Sequence, residues 1–253
     1  MLTASIVLYN NDIEKLKKSI NSFLETDCKT HLYLIDNSET ENLKQSLNYD
    51  SDVTYIHSGI NLGFGAGHNK ILNKIKDISS FHLILNPDVY FDKNVLIELM
   101  TFLKENPQIG VLGPKVLYPN GDLQHSIRKF PKPQDLFIRR IPFLKKILSK
   151  QYRRSHYLDI SINKPIEVDS LSGCFQLFRT EVLNNINGFD ERYFMYLEDI
   201  DICKKVKKLG YNVYYYPEAN IYHYFEKGSA KKLKLVLIHF HSFLKYFFKW
   251  WRN

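Results

Sequence analysis

Phe81-His82-Leu83-Ile84-Leu85-Asn86-Pro87-Asp88 joins a short apolar run to a turn. A run of this length bounded by turn residues suits a buried strand. Proline has no N–H to continue a ladder, so the strand stops there and Asp88 projects at its end. Three similar runs lie upstream, at Ala4–Tyr9, Leu32–Ile35 and Val53–His57. Helical periodicity fills the gaps at Asp12–Glu25, Ala66–Ile75 and Asn94–Lys104. Short strands alternating with helices predict an α/β domain built on a mainly parallel central sheet flanked by helices. Such sheets bind ligands at the carboxyl ends of their strands. That places weight on Tyr9-Asn10, Asp36-Asn37 and Asn86-Pro87-Asp88.

The second half is less regular. Ile109–Leu117 reads as a strand, Asn120-Gly121 as a turn, and the basic stretch 134–150 as a helix. Val168–Phe178 is strand-like around Gly173. Glu198–Leu209 is a helix closed by Gly210. Tyr211–Tyr216 and Ala219–Tyr224 read as two short strands. No internal repeat and no linker separate the halves.

The 253 residues are 44% hydrophobic, which excludes a disordered chain. Three cysteines without metal-like spacing argue against a disulfide framework and for a reducing cytoplasm. The first residues lack the basic region of a signal peptide, and no uncharged apolar run is long enough to span a bilayer. A soluble or surface-lying chain is expected. The net charge of +8 is local. Residues 136–158 and 227–253 each carry +7 with no acid, so the remainder carries −6. In the second segment Leu233, Val236, Leu237, Phe240, Phe243, Leu244, Phe247, Trp250 and Trp251 keep helical spacing. Lys231, Lys234, His241, Lys245, Lys249 and Arg252 lie mainly on the other side. A basic amphipathic helix ending in Trp-Trp reads as a membrane-interface element; the plainer alternative is a terminal helix docked on the core.

Four constellations could carry chemistry. Asp88 could hold Mg²⁺ or Mn²⁺ with substrate phosphates, although Asn-Pro-Asp is also ordinary turn chemistry. Glu198-Asp199-Ile200-Asp201 opens a helix after Tyr193-Phe194-Met195-Tyr196. Acids there suit the helix dipole, and beside bulky side chains they also suit a desolvated general base. Asn61-Leu62-Gly63-Phe64-Gly65-Ala66-Gly67-His68-Asn69 opens a helix where backbone N–H groups suit a phosphate. The dinucleotide fingerprint fails there, because His68 stands where it needs glycine. His223 ends a strand-like run with no second histidine at ligand spacing, so zinc is not expected.

Taken in order, the motifs resemble the family 2 nucleotide-sugar glycosyltransferases with the GT-A fold. The carriers are Ile6-Val7-Leu8-Tyr9-Asn10, Leu34-Ile35-Asp36-Asn37-Ser38, Asn61-Leu62-Gly63-Phe64 with Gly67 and Asn69, and Leu83–Asp88. They continue through Arg128-Lys129-Phe130-Pro131, Val168-Asp169 with Ser172-Gly173, and Gly188-Phe189-Asp190-Glu191. They close with Phe194–Cys203 and His223. The ending His239-Phe240-His241-Ser242-Phe243-Leu244-Lys245-Tyr246-Phe247 is similar to the His-x-x-Ser-x-x-x-Tyr-Phe pattern of bacterial rhamnosyltransferases of O-antigen, capsule and cell-wall polysaccharide. The resemblance implies a single GT-A catalytic domain over residues 1–225, with a nucleotide-binding half (1–115) and an acceptor half (116–225), followed by a C-terminal helix over 226–253.

It also implies roles. Asp36 binds the base of the donor, with Tyr9, Asn10 and Asn37 nearby. Asn61, Gly63 and Asn69 line the ribose or diphosphate, and Arg128 contacts a diphosphate. Asp88 holds Mg²⁺ or Mn²⁺ with His223, while Asn86 replaces the first metal-binding aspartate and weakens the site. Asp199 is the general base, with Glu198 beside it. The implied reaction moves a sugar, L-rhamnose from dTDP-rhamnose or another hexose from a UDP sugar, to a saccharide or polyprenyl-diphosphate-linked acceptor. The implied location is the cytoplasmic face of an anionic membrane. Two alternatives fit less well: a nucleic-acid-binding protein, suggested by the charge but leaving the acidic motifs at strand ends without a role, and a nucleotidyltransferase, whose basic glycine-rich loop after the first strand is replaced here by Tyr9-Asn10-Asn11-Asp12.

Overall fold

A computed structural model describes residues 1–47, 51–133, 149–225 and 233–251. Most of the helix expected over 134–150 falls outside them.

The N-terminal strands are β1 (Leu2–Leu8), β2 (Thr30–Asp36), β3 (Val53–His57) and β4 (Phe81–Leu85). They pair in parallel, with Ile6 opposite both Leu34 and Leu85. Helix α1 (Ile13–Leu24) connects β1 to β2 and is capped by Asp12, whose carboxylate accepts the N–H groups of Glu14 and Lys15 at 3.0 Å. Such a cap satisfies N–H groups that the first helical turn leaves unpaired. It turns Leu16, Ile20 and Phe23 into the core. α2 (Asn42–Ser46) follows β2. The helix expected over Ala66–Ile75 divides into α3 (Phe64–Asn69) and α4 (Leu72–Ile75). Gly65 and Gly67 weaken helix propensity there.

The second half contains β5 (Val89–Phe91), α5 (Val95–Glu105), β6 (Ile109–Leu117), β7 (Leu123–Gln124) and β8 (Ile127–Arg128). α6 (Ser149–Ser155), β9 (Ile166–Glu167), β10 (Ser170–Leu171), β11 (Phe175–Arg179) and α7 (Thr180–Asn185) follow. The described chain closes with α8 (Glu198–Lys208), β12 (Asn212–His223) and α9 (Leu233–Trp251). The main sheet runs β3-β2-β1-β4-β11-β6-β12-β5. The mainly parallel expectation holds for the first four strands and for β6 with β12. β11 reverses the direction against both its neighbours, and β5 runs antiparallel to β12. That reversal makes the site: β11 begins where β4 ends, with Phe175 opposite Leu85.

The two strands expected over Tyr211–Tyr216 and Ala219–Tyr224 are one strand, β12, with a register shift between Tyr216 and Asn220. Pro217 sits in that irregularity, where its missing N–H breaks no ladder bond. Alternate residues of β2 enter two apolar layers: Leu32 and Leu34 join the cluster with Leu16 and Phe23, whereas Tyr33 and Ile35 join that with Phe178 and Phe189. This is the period-two alternation of a strand buried on both faces. A third cluster joins Tyr193, Leu197 and Ile200 to Phe243 and Tyr246 of α9. The broad apolar arc expected on α9 is therefore split. Phe243 and Tyr246 are buried, while Leu237, Leu244, Phe248 and Trp251 are exposed. Among the described residues no helix is long and apolar enough to cross a membrane.

Candidate active site

Asp36 ends β2 fully buried. One carboxylate oxygen accepts the Ser38 N–H at 2.8 Å and the other accepts the Tyr55 hydroxyl in a short hydrogen bond. Burial, and then Asp36 itself, raise the Tyr55 hydroxyl above its usual range, so tyrosine remains the donor in this bond. Asn37 is also buried; its amide donates to the Gly63 carbonyl at 3.1 Å, while its side-chain oxygen is without a hydrogen-bond partner. Tyr9 and Asn10 lie exposed at the end of β1. Asn10 takes a left-handed conformation (φ +50°) and its N–H reaches the Ser38 hydroxyl at 3.0 Å.

The glycine-rich turn is built for contact. Asn61 accepts the Gly63 N–H at 3.0 Å. Gly63 has φ +86°, and a Cβ there would stand 2.3 Å from the Phe194 carbonyl oxygen. The turn thus abuts the segment that carries Glu198 and Asp199. Asn69 differs from its expected place. Its amide donates to the Phe189 carbonyl and to Glu191, and its oxygen accepts the Phe189 N–H, all at 2.9 Å. That carboxamide fastens the Gly188–Glu191 turn rather than standing ready for a ribose or diphosphate.

Asn86 and Asp88 lie where β4 gives way to β5. The Asn86 N–H donates to the Cys174 carbonyl at 2.9 Å, and its carbonyl accepts the Ser19 hydroxyl at 3.0 Å. His223 pairs with Val89 across the β12–β5 ladder, which brings its Nε2 to 3.3 Å from an Asp88 carboxylate oxygen. Its Nδ1 lies 2.7 Å from the Gln124 side-chain oxygen. Burial disfavours the charged imidazole, but Cys174 and Asp88 outweigh it and raise His223 to about 10. Among the described residues no group of three or more His, Cys, Asp or Glu side chains converges on one point. Asp88 and His223 are a sparse donor set, and His223 joins it only on giving up the Nε2 proton that faces Asp88. The set fits a hard divalent cation that takes most of its ligands from phosphate oxygens and water.

On the other side, Glu198 and Asp199 open α8. Asp199 accepts the Gly173 N–H at 3.3 Å and the Ile200 N–H at 2.9 Å. Burial raises its pKa against the opposing pull of Arg128, Gly173 and Ile200. Glu198 is 7% exposed and one of its oxygens is buried without a hydrogen-bond partner. Burial first, and the Asp199 charge second, push it above the usual carboxylate range. A desolvated carboxylate pair of this kind has the basicity to take a hydroxyl proton. Ser172-Gly173-Cys174 bridges the two halves, touching Asn86 through the Cys174 carbonyl and Asp199 through the Gly173 N–H. Arg128, on β8, pairs with Ser170 of β10. Its charge acts on Asp199.

The turn before α8 is strained. Tyr196 and Leu197 both have positive φ (71° and 69°), a costly conformation for non-glycine residues. Helix α9 holds it in place. Ser242 donates to the Met195 carbonyl at 2.8 Å, and the His239 and Tyr196 rings lie 5.2 Å apart. Lys249 reaches Asp190 and the fully buried Asp201 at 2.7 Å each, and the Trp250 indole N–H donates to Asp201 at 2.7 Å. Lys249 therefore lies against the body, against the expectation of an outward cationic side, and Trp250 does too. Sequence reasoning missed Tyr55, Gln124 and Cys174 as supports of the site, and named Asp201 only as one of the acids opening α8. The His-x-x-Ser-x-x-x-Tyr-Phe ending was the one signal that pointed to the brace.

Comparison with known proteins bears on the family and the fold. The family model for "Glycosyltransferase like family 2" matches residues 9–237. The N-acetylglucosaminyl-diphospho-decaprenol L-rhamnosyltransferase of Mycobacterium tuberculosis is 26% identical over 249 residues, covering 90% of this chain and 79% of that protein. The rhamnosyltransferase WbbL of Escherichia coli is 27% identical over 228 residues, covering 87% and 82%. Among solved structures, GalNAc-T7 with UDP, GalNAc and Mn²⁺ superposes with a TM-score of 0.68 at 15% identity. That match covers 90% of this chain and 43% of GalNAc-T7, and it speaks to the GT-A fold alone. The chain belongs to the glycosyltransferase-like family 2.

Proposed function

We propose that the chain transfers L-rhamnose from dTDP-rhamnose, with inversion, to a saccharide or polyprenyl-diphosphate-linked acceptor in bacterial surface polysaccharide synthesis. One observation carries the reaction type: Asp199 is a desolvated, elevated carboxylate fixed across the Ser172–Cys174 turn from Asn86 and Asp88. Asp199 takes the proton of the attacking acceptor hydroxyl. Glu198, pushed above the usual carboxylate range by burial and by the Asp199 charge, stands beside it. Asp36 and Asn37 accept and orient the base of the donor, with Tyr9, Asn10, Asn61 and Gly63 around it. Arg128 offsets diphosphate charge. Asp88 and His223 would hold Mg²⁺ or Mn²⁺, whose chemistry when bound is to neutralise the departing nucleoside diphosphate. The rhamnosyl donor and lipid-linked acceptor rest on the named activity of the mycobacterial relative, and the metal on the Mn²⁺ of GalNAc-T7. A lipid-linked acceptor places the chain peripherally on the cytoplasmic face of a membrane, with α9 as its contact.

The test is a panel of dTDP-rhamnose, UDP-galactose and UDP-glucose, scored for nucleoside diphosphate release and product with a polyprenyl-diphosphate-linked N-acetylglucosamine acceptor. Preferential turnover of dTDP-rhamnose is expected, and silence across the panel overturns the transferase reading. Chelation should abolish turnover, with rescue by Mg²⁺ or Mn²⁺; full activity after chelation sinks the metal assignment. A salt-sensitive shift of generic DNA or RNA without any turnover would restore the nucleic-acid alternative.

A further inference from the structure

Helix α9 has two unlike sides. The inner side carries Ser242, Phe243, Tyr246, Lys249 and Trp250 onto the turn before α8. The outer side presents Leu237 (60% exposed), Leu244 (36%), Phe248 (73%) and Trp251 (79%), with Phe240 (38%) between them. Spacings of three and four residues put these side chains in one line on the helix surface. At 1.5 Å per residue the line runs about 21 Å. Exposed apolar surface of this extent marks an interaction site.

Charge chooses the occupant. Residues 227–253 contain seven cations and no acid. Lys245 and Lys249 are turned onto the protein, where they meet the Arg192 carbonyl, Asp190 and Asp201. The remaining five flank the stripe in the sequence: Lys227, Lys231, Lys232 and Lys234 precede it and Arg252 follows it. An apolar line flanked in the sequence by five cations and no acid is complementary to an anionic lipid surface, where acyl chains receive the stripe and headgroups attract the cations. A second copy of the chain would bring like charges together.

We infer that the outer line Leu237–Leu244–Phe248–Trp251 of α9 is the face that enters an anionic lipid surface. This deepens the membrane part of the proposed function and is independent of the sugar transferred. It differs from the helix read from sequence alone, since Phe243, Phe247 and Trp250 of the apolar arc pack on the protein.

The full chain is tested by flotation with vesicles of phosphatidylcholine alone or mixed with phosphatidylglycerol, beside sedimentation in buffer. Binding to the mixed vesicles is expected, with little to phosphatidylcholine alone. Phe248→Ser and Trp251→Ser alter exposed side chains and leave the core intact; each should weaken binding about tenfold. Unchanged flotation of the double variant overturns the inference. So does self-association in buffer that the same substitutions abolish, without vesicle binding, which would assign the stripe to a second copy. Turnover on a soluble acceptor separates the two readings. Lost flotation with turnover intact removes only the lipid face, and intact flotation without turnover removes only the transferase.

Discussion

The proposed donor side and the proposed base side of the site are positioned by different means. On the donor side, Asp36 and Asn86 stand at the ends of parallel strands whose register is fixed by continuous ladders. Asp36 finds its partners nearby in the chain, at Ser38 and Tyr55. On the base side, Glu198 and Asp199 follow two consecutive left-handed residues and owe their place to contacts from Gly173, Ser242, Lys249 and Trp250. A strand end needs only its sheet. A strained turn at a helix start persists only while distant residues hold it.

Disturbing the brace should have the largest effect. Lys249→Met leaves the buried Asp201 carboxylate without its cation, which costs about 3–5 kcal/mol of stability. Thermal denaturation should show a large fall in Tm that Lys249→Arg restores in part. Next comes the base: Asp199→Asn should lower kcat at least about 100-fold, equivalent to about 2.7 kcal/mol, with Tm little changed. In the proposed reaction Asp199 works deprotonated, and its pKa is raised. Turnover should therefore fall as pH drops through a midpoint above the ordinary aspartate value of about 3.9, as read in the pH profile of kcat. Tyr55→Phe is smaller. It removes the donor to one oxygen of a buried carboxylate, worth about 2 kcal/mol in a denaturant titration, and raises KM for the donor more than it lowers kcat. Ser242→Ala should cost least, about 1 kcal/mol, yet reduce kcat and spare donor KM. Equal damage from Tyr55→Phe and Ser242→Ala to both kinetic constants would erase the distinction between the two sides.

Much of the donor side was legible in the residues. Apolar runs ending in Asp36-Asn37 and Asn86-Pro87-Asp88 are strands with polar ends, and the carboxyl edge of a parallel sheet gathers such ends. Asn69 shows the boundary of that reasoning. Its place in a motif suggested a ligand contact, whereas its amide is consumed by the Phe189–Glu191 turn. Nothing in local spacing could reveal this, because the partner lies 120 residues away. The same holds for Gln124 against His223. The tail shows it again: its periodicity announced a helix with an apolar arc, but which part of that arc is buried depends on where Tyr193, Leu197 and Ile200 lie.

By itself the sequence determined the elements, the strand ends that carry polar groups, the acidic pair opening α8 and the family to which the ordered motifs belong, because periodicity, turn chemistry and motif order are local properties. Only the tertiary structure decided that β11 runs against its neighbours and so brings Gly173-Cys174 to Asn86 and Asp199. It alone decided that Lys249 and Trp250 turn inward onto Asp201 while Phe248 and Trp251 face out. Strand direction and helix docking are settled by which apolar surfaces meet, and those surfaces come from distant parts of the chain.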